Sequence, residues 1–202
     1  DGHRFYRLEF EVHDRDEDGV ADGFDLCPDD PDAEQIDSNR NGVGDACDPC
    51  PECENIGFRA LTAASNQYNN TYRHEYVTDG RIEETRELNN SLPYGYWLLS
   101  NNRTGWVEVD LRGLNRICVV RWLNTMNRGY WDRSTGDWRM TVLDGDLEEQ
   151  IAEGSEPVSP IRGWNTVVLD ECVEGDRVRF YVDSFNGAGG GLSEIEVYGQ
   201  PI

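Results

Sequence analysis

The chain alternates apolar and polar positions in short runs, and its opening residues carry the cleanest example. In residues 1–13 (DGHRFYRLEFEVH) Tyr6, Leu8, Phe10 and Val12 fall on one face, with Arg7, Glu9 and Glu11 on the other. This period of two predicts a half-buried strand. The next forty residues offer it no pairing partner, because Val20, Phe24, Leu26, Ile36 and Val43 are the few large apolar residues before Ile56. A lone strand is not stable by itself. It therefore ends an upstream domain, folds back onto the downstream one, or is given to another molecule by strand addition, the option favoured here. From residue 55 onward, runs rich in β-branched and aromatic residues recur at Tyr96–Leu99, Trp106–Leu111, Ile117–Leu123, Trp138–Leu143, Thr166–Leu169, Arg177–Val182 and Glu194–Tyr198. Turn signals separate them, among them Asp79-Gly80, Asn101-Asn102, Asp144-Gly145 and Gly187–Gly191. No stretch repeats at a helical period. The expected fold is all-β: a jelly-roll β-sandwich over 55–202, preceded by an irregular segment over 14–54 and a single strand over 1–13. Trp97, Trp106 and Trp122, on predicted strands, are expected in the core.

Charge changes the reading of the middle segment. The net charge is −22, and the acidic excess is densest in residues 14–54, a concentration that self-repels without counter-ions. The same sign makes nucleic acid an improbable partner, since phosphates need cations to neutralise them. Every basic residue is Arg, with no Lys; nothing in the chain explains that preference. No apolar run reaches the length of a membrane span and no signal peptide is visible, so the chain reads as a mature secreted protein or a piece of a longer one.

Within the acidic segment one pattern occurs twice. Asp14, Asp16 and Asp18 alternate, Gly19 follows, and Asp25 falls twelfth; Asp37, Asn39 and Asn41 alternate, Gly42 follows, and Asp48 falls twelfth again. Alternate side-chain oxygens, a glycine at six and an acid at twelve are what a short loop needs to wrap Ca²⁺, with the carbonyls of Val20 and Val43 at position seven adding one oxygen each. A merely solvated acidic linker has no reason to repeat that spacing. Pro28, Pro31, Pro49 and Pro51 keep the segment out of helix, and metal and disulfide must replace the missing apolar core.

The six cysteines are an even count. Cys27 and Cys47 bracket a loop whose closure is worth roughly 3 kcal/mol. The run Cys47, Cys50, Cys53 has zinc-like spacing, but the surrounding carboxylates favour calcium and disulfides. A redox role for Cys50-Pro-Glu-Cys53 lacks the βαβ context it needs. Cys118 and Cys172 are placed to bridge within the sandwich, the alternative being a buried free pair. Disulfides and calcium together point outside the cytosol.

The pieces DRDEDGVADGFDLCP and DSNRNGVGDACD resemble thrombospondin type 3 repeats. That resemblance implies calcium ions strung along a rod, disulfides between repeats, and Asp22 and Asp45 at position nine as further ligands. Asn39 and Asn41 depart from the family's acids, lowering the charge of the second loop, and no RGD is present. Downstream, Ala64-Ser65, Thr78-Asp79-Gly80, the strand GWVEVDL and the closing GLSEIEVYG resemble the discoidin (coagulation factor 5/8 type C) domain and related carbohydrate-binding modules with galactose-binding-like jelly rolls. That likeness implies a structural calcium between Asp79 and Glu194 or Glu196, with Thr85 nearby, and sugar recognition by end loops. The candidates there are Arg128, Tyr130, Trp131 and Arg133 in the loop 124–137, with Asn186. Asn69, Asn89 and Asn102 open N-x-S/T sequons, acceptors in a host that glycosylates them.

No catalytic constellation is apparent. His3, His13 and His74 are scattered, and no nucleophile elbow, zincin helix or phosphate loop occurs. The expected function is an extracellular, calcium-stabilised structural or adhesive protein that self-associates through its leading strand into a filament or matrix. The alternative is a carbohydrate-binding module, directed at cell-surface or matrix glycan, on a calcium-stiffened linker. Neither reading involves membrane insertion or catalysis.

Overall fold

The structure is a computed structural model; it describes residues 13–81, 95–125, 132–157 and 163–202. The leading strand expected over 1–13 thus lies almost wholly outside the described residues, as do Thr85, Arg128, Tyr130 and Trp131. The chain divides into two compact units, Asp1–Pro51 and Glu52–Ile202.

The second unit is an antiparallel jelly roll. Its strands among the described residues are β1 (Glu54–Asn55), β2 (Leu61–Ala64), β3 (Trp97–Leu98), β4 (Gly105–Asn124), β5 (Asp137–Asp144), β6 (Leu147–Ser155), β7 (Trp164–Val182) and β8 (Gly191–Pro201), with a 3₁₀ turn at His74–Thr78. The hydrogen-bonded order is β1-β8-β4-β7-β5-β6, with β2 on β4 and β3 on β8. Runs predicted as separate strands are joined in pairs: Trp106–Leu111 and Ile117–Leu123 both belong to β4, and Thr166–Leu169 and Arg177–Val182 both belong to β7. The long strands bend between layers where their register shifts, between Asp110 and Asn115 and again between Ile117 and Val119. Arg112 (φ 62°) and Gly113 (φ 145°) supply the left-handed backbone of the first break. At the facing point of β7 a Cβ on Gly175 would lie 2.8 Å from the Leu143 carbonyl, so only glycine fits.

Alternation sorts the faces. On the first half of β4, Val107, Val109 and Leu111 point inward, and on β7 Val178, Phe180 and Val182 meet them. Trp122, Trp138 and Phe180 pack ring against ring, at centroid distances of 4.8–5.7 Å. Trp97 and Trp122 are fully buried. Trp106 is not core: it falls out of phase with Val107 and lies half-buried on the outer face, beneath the Arg179 guanidinium at 4.6 Å. Cys118, at the second register shift, is bonded to Cys172, which removes the free-pair alternative.

β6 escaped the sequence reading. LEEQIAEGS is poor in β-branched residues, yet the Asp144–Leu147 hairpin, with Gly145 at φ 58°, pairs it to β5. It pairs only with β5 among the described residues and carries Glu148, Glu149 and Glu153, charges that discourage further strand pairing at that edge.

Candidate functional site

In the first unit, the two twelve-residue loops adopt one backbone design. Glu17 and Arg40 at position four share a φ of 62°, and Gly19 (φ 98°) and Gly42 (φ 83°) follow at six. The acid at one accepts the glycine N–H, Gly19 to Asp14 at 3.1 Å and Gly42 to Asp37 at 2.9 Å. Position three accepts from five (Asp18 N–H to Asp16, Asn41 N–H to Asn39), and five accepts from seven (Val20 N–H to Asp18, Val43 N–H to Asn41). The twelfth residue accepts from the second one after it, Cys27 N–H to Asp25 and Cys50 N–H to Asp48. These bonds turn alternate side chains towards a common centre.

In the first loop that centre is lined by carboxylates. Asp14, Asp16 and Asp18 form one group and Asp18, Asp25 and Asp32 another, each with carboxylate oxygens within 4.8 Å of one another. One oxygen each of Asp14, Asp16, Asp25 and Asp32 is buried without a hydrogen-bond partner. Burial, then the neighbouring carboxylates, pushes the Asp16 and Asp32 carboxyls up from their ordinary values. Orphaned, crowded, acceptor-only oxygens suit a hard divalent cation. Asp32 was not among the expected ligands. It lies seven residues past position twelve of the first loop, where no template pointed, and its N–H binds Asp18 while Gln35 Nε2 reaches both Asp25 and Asp32.

The second loop is closed differently. Asp48 Oδ2 accepts from Asn39 Nδ2 at 3.0 Å and Asn41 Nδ2 at 2.8 Å, so two carboxamides neutralise what two carboxylates would repel. Asn41 is fully buried there. The position-nine acids are hydrogen-bonded from position two of their own loops. Arg15 donates to Asp22 through N at 2.9 Å and Nε at 3.0 Å, and Ser38 binds Asp45 through N at 2.8 Å and Oγ at 2.6 Å. The Ser38 bonds hold the Asp45 carboxyl below its ordinary value. Cys27 and Cys47 are bonded to each other. Cys50 and Cys53 are disulfide-bonded too and no cysteine is free, so no thiolate remains for zinc or for a resting dithiol.

In the second unit, Glu194 is 1% exposed. Its Oε1 accepts the Gly80 N–H at 3.0 Å, and its Oε2 is buried without a partner. Burial pushes the carboxyl up to about 9, with neighbouring Asp79 and Glu196 adding to the rise. Asp79 itself accepts from Arg81 N at 2.9 Å. Glu196 is engaged elsewhere, in an ion pair with Arg121 and a 2.8 Å bond from Tyr198. Both of those bonds fall on Glu196 Oε2, whereas Glu194 Oε2 is buried without a partner.

Of the sugar-loop candidates, Arg133 and Asn186 are described, and both side chains are hydrogen-bonded within the jelly roll. Arg133 is buried, donates to the Leu99 carbonyl and Asn101, and stacks 4.2 Å from the Tyr68 ring. Asn186 Nδ2 donates to Ser134 Oγ at 3.1 Å.

No family profile and no curated protein matches this chain. Solved structures share the fold. The family 32 carbohydrate-binding module of Clostridium perfringens NanJ, in complex with galactose, aligns with a TM-score of 0.57 at 13% identity, over 72% of this chain and 97% of that one. CpGH89CBM32-5 from Clostridium perfringens, in complex with GalNAc-β-1,3-galactose, gives 0.57 at 14% identity, over 73% and 99%. Chitosan-binding module 1 of a Paenibacillus sp. IK-5 chitosanase/glucanase gives 0.54 at 14%, over 72% and 99%. The jelly roll is thus similar to carbohydrate-binding modules, and among the described residues no helix is long and apolar enough to cross a membrane.

Proposed function

We propose that this is an extracellular structural protein whose acidic segment is organised by calcium and whose leading strand, residues 1–13, joins one copy to the next. The observation that carries the calcium part is the set of orphaned oxygens on Asp14, Asp16, Asp25 and Asp32, gathered by a loop design that repeats at 37–48. Asp14, Asp16, Asp18, Asp25 and Asp32 hold the ion of the first loop, aided by the Val20 carbonyl. Asp37, Asn39, Asn41, Asp48 and the Val43 carbonyl form the second, less charged site. Bound Ca²⁺ supplies the positive charge that lets these carboxylates crowd together; the chain's own amides hold the geometry. Asp79 and Glu194 form a separate cation site in the jelly roll. The oxidised cysteines fit an extracellular setting. Strand addition is supported by the amphipathic alternation of Tyr6, Leu8, Phe10 and Val12.

Electron microscopy of the full chain with calcium, with chelator, and after deletion of residues 1–13 tests this reading. Polymers that disperse in chelator and fail to form without the strand support it. Single particles under every condition sink the assembly, and unchanged protease resistance in chelator sinks the calcium segment.

The fold neighbours favour a second reading, a module that binds glycan. A glycan array probed with the full chain decides it, since the absence of any hit removes the module.

A further inference from the structure

Two of the three sequons lie in one loop cluster of the jelly roll. Asn69-Asn70-Thr71 follows β2, Asn102-Arg103-Thr104 precedes β4, and all six residues are exposed. Their loops are zipped together. Tyr68 N–H donates to Leu98 O at 2.7 Å, Ser100 N–H to Asn66 Oδ1 at 2.9 Å, Ser100 Oγ to Gln67 O at 3.1 Å, and Trp97 Nε1 to Asn66 O at 3.0 Å.

The local geometry suits an acceptor amide. Thr71 N–H donates to Asn69 Oδ1 at 2.8 Å, an Asx turn inside a backbone turn closed by Tyr72 N–H on Asn69 O at 3.2 Å. That turn engages Oδ1 and leaves Nδ2 with no partner among the described residues. It also draws the acceptor asparagine and the Thr71 hydroxyl of the sequon onto one tight bend. Asn102 sits at φ 56° at a loop tip, its backbone anchored by an N–H bond to Ala188 O at 2.9 Å and its side chain unengaged among the described residues. Asparagine tolerates that left-handed backbone better than most residues. Each acceptor therefore combines an exposed amide with an anchored turn.

We infer that both asparagines carry N-linked glycans and that these sheathe this end of the jelly roll. In the transfer, Asn Nδ2 forms a bond to the anomeric carbon of a lipid-linked oligosaccharide. The bond from that carbon to the pyrophosphate oxygen breaks, the lipid pyrophosphate leaves, and the amide proton passes to the transferase's base. The two glycans flank a single aromatic-cation pair. Asn69 adjoins Tyr68, 41% exposed, and Asn102 adjoins Asn101, which accepts from Arg133 beneath the Tyr68 ring. Sugar attached at these positions covers the exposed tyrosine that would otherwise offer a stacking face to a foreign glycan. The inference goes beyond the calcium and assembly readings and stands or falls separately from both.

The test is secretion of the full chain from a eukaryotic cell line that adds N-linked glycans, in an Asn89→Gln background that silences the third sequon. Intact mass and peptide mapping before and after amidase treatment should show one glycan lost in Asn69→Gln and one in Asn102→Gln. Thr71→Ala and Thr104→Ala should lose the same glycans while keeping the asparagine, and Asn70→Gln should lose none. Mapping of the Cys118–Cys172 disulfide separates a misfolded variant from an unmodified one. Unmodified Asn69 and Asn102 in disulfide-intact protein overturn the inference. Equal nitration of Tyr68 before and after glycan removal overturns the sheath.

Discussion

The backbone N–H of Asp32 donates to Asp18 Oδ2 at 2.9 Å, so the connection between the two acidic loops is anchored on a carboxylate that belongs to both oxygen clusters of the first. Asp18 is the hinge of that site: its Oδ1 holds the Val20 N–H and its Oδ2 the linker. Asp18→Asn should therefore weaken calcium binding by about tenfold or more, equal to about 1.4 kcal/mol. Asp45→Asn, at a carboxylate held by Ser38 and outside both oxygen clusters, should change affinity far less. Calorimetric titration of the two variants checks the ranking, and equal losses would show that the clusters do not act as the ligand set.

The disulfide between Cys27 and Cys47 closes a separation of 20 residues. Opening it restores chain entropy worth about 3 kcal/mol to the unfolded segment. Because so little apolar surface is buried there, that loss should be felt as weaker metal binding. The double variant Cys27→Ser, Cys47→Ser should need more calcium to reach the protease resistance of the parent. An unchanged calcium midpoint would mean the loops are organised without the bridge.

Glu194 makes the jelly roll sensitive to pH when no cation is present. Its folded carboxyl is raised from 4.5 to about 9, so between those values the folded protein holds a proton that the unfolded chain has lost. Stability is complete below the lower value and falls as pH rises through the window, with a slope of up to about 1.4 kcal/mol per pH unit. On the proposed Asp79–Glu194 site calcium would take the place of that proton, so adding it should flatten the slope and raise the melting temperature at pH 8. Glu194→Gln should abolish both responses; a variant that keeps the pH slope would assign it to another group.

Arg133 is predicted to be a packing residue rather than a ligand. Arg133→Ala removes a buried guanidinium that serves Leu99, Asn101 and Tyr68, and should cost about 2 kcal/mol in chemical denaturation. A variant of unaltered stability would release Arg133 for recognition.

Local pattern was enough to read the all-β class, because alternation of Val107, Val109 and Leu111 against polar neighbours can be satisfied only by a sheet with one buried face. The repeated loop design was equally legible, since its spacing reflects bonds between residues no more than nine apart. Trp106 misled for want of phase: its size suggested the core, while its position next to Val107 turned it outward. β6 was invisible because an edge strand with one exposed side has no apolar signal of its own to show.

What the sequence determined alone is thus everything that depends on near neighbours: the strands with a buried face, the turn glycines, the repeated carboxylate spacing, the sequons. Tertiary structure decided the rest. Only folding brings Gly80 to Glu194 across 114 residues, separates Glu194 from Glu196, and returns Asp32 to Asp18. The physical reason is that a carboxylate's role is set by which groups surround it after burial, and those groups come from parts of the chain whose separation no local pattern records.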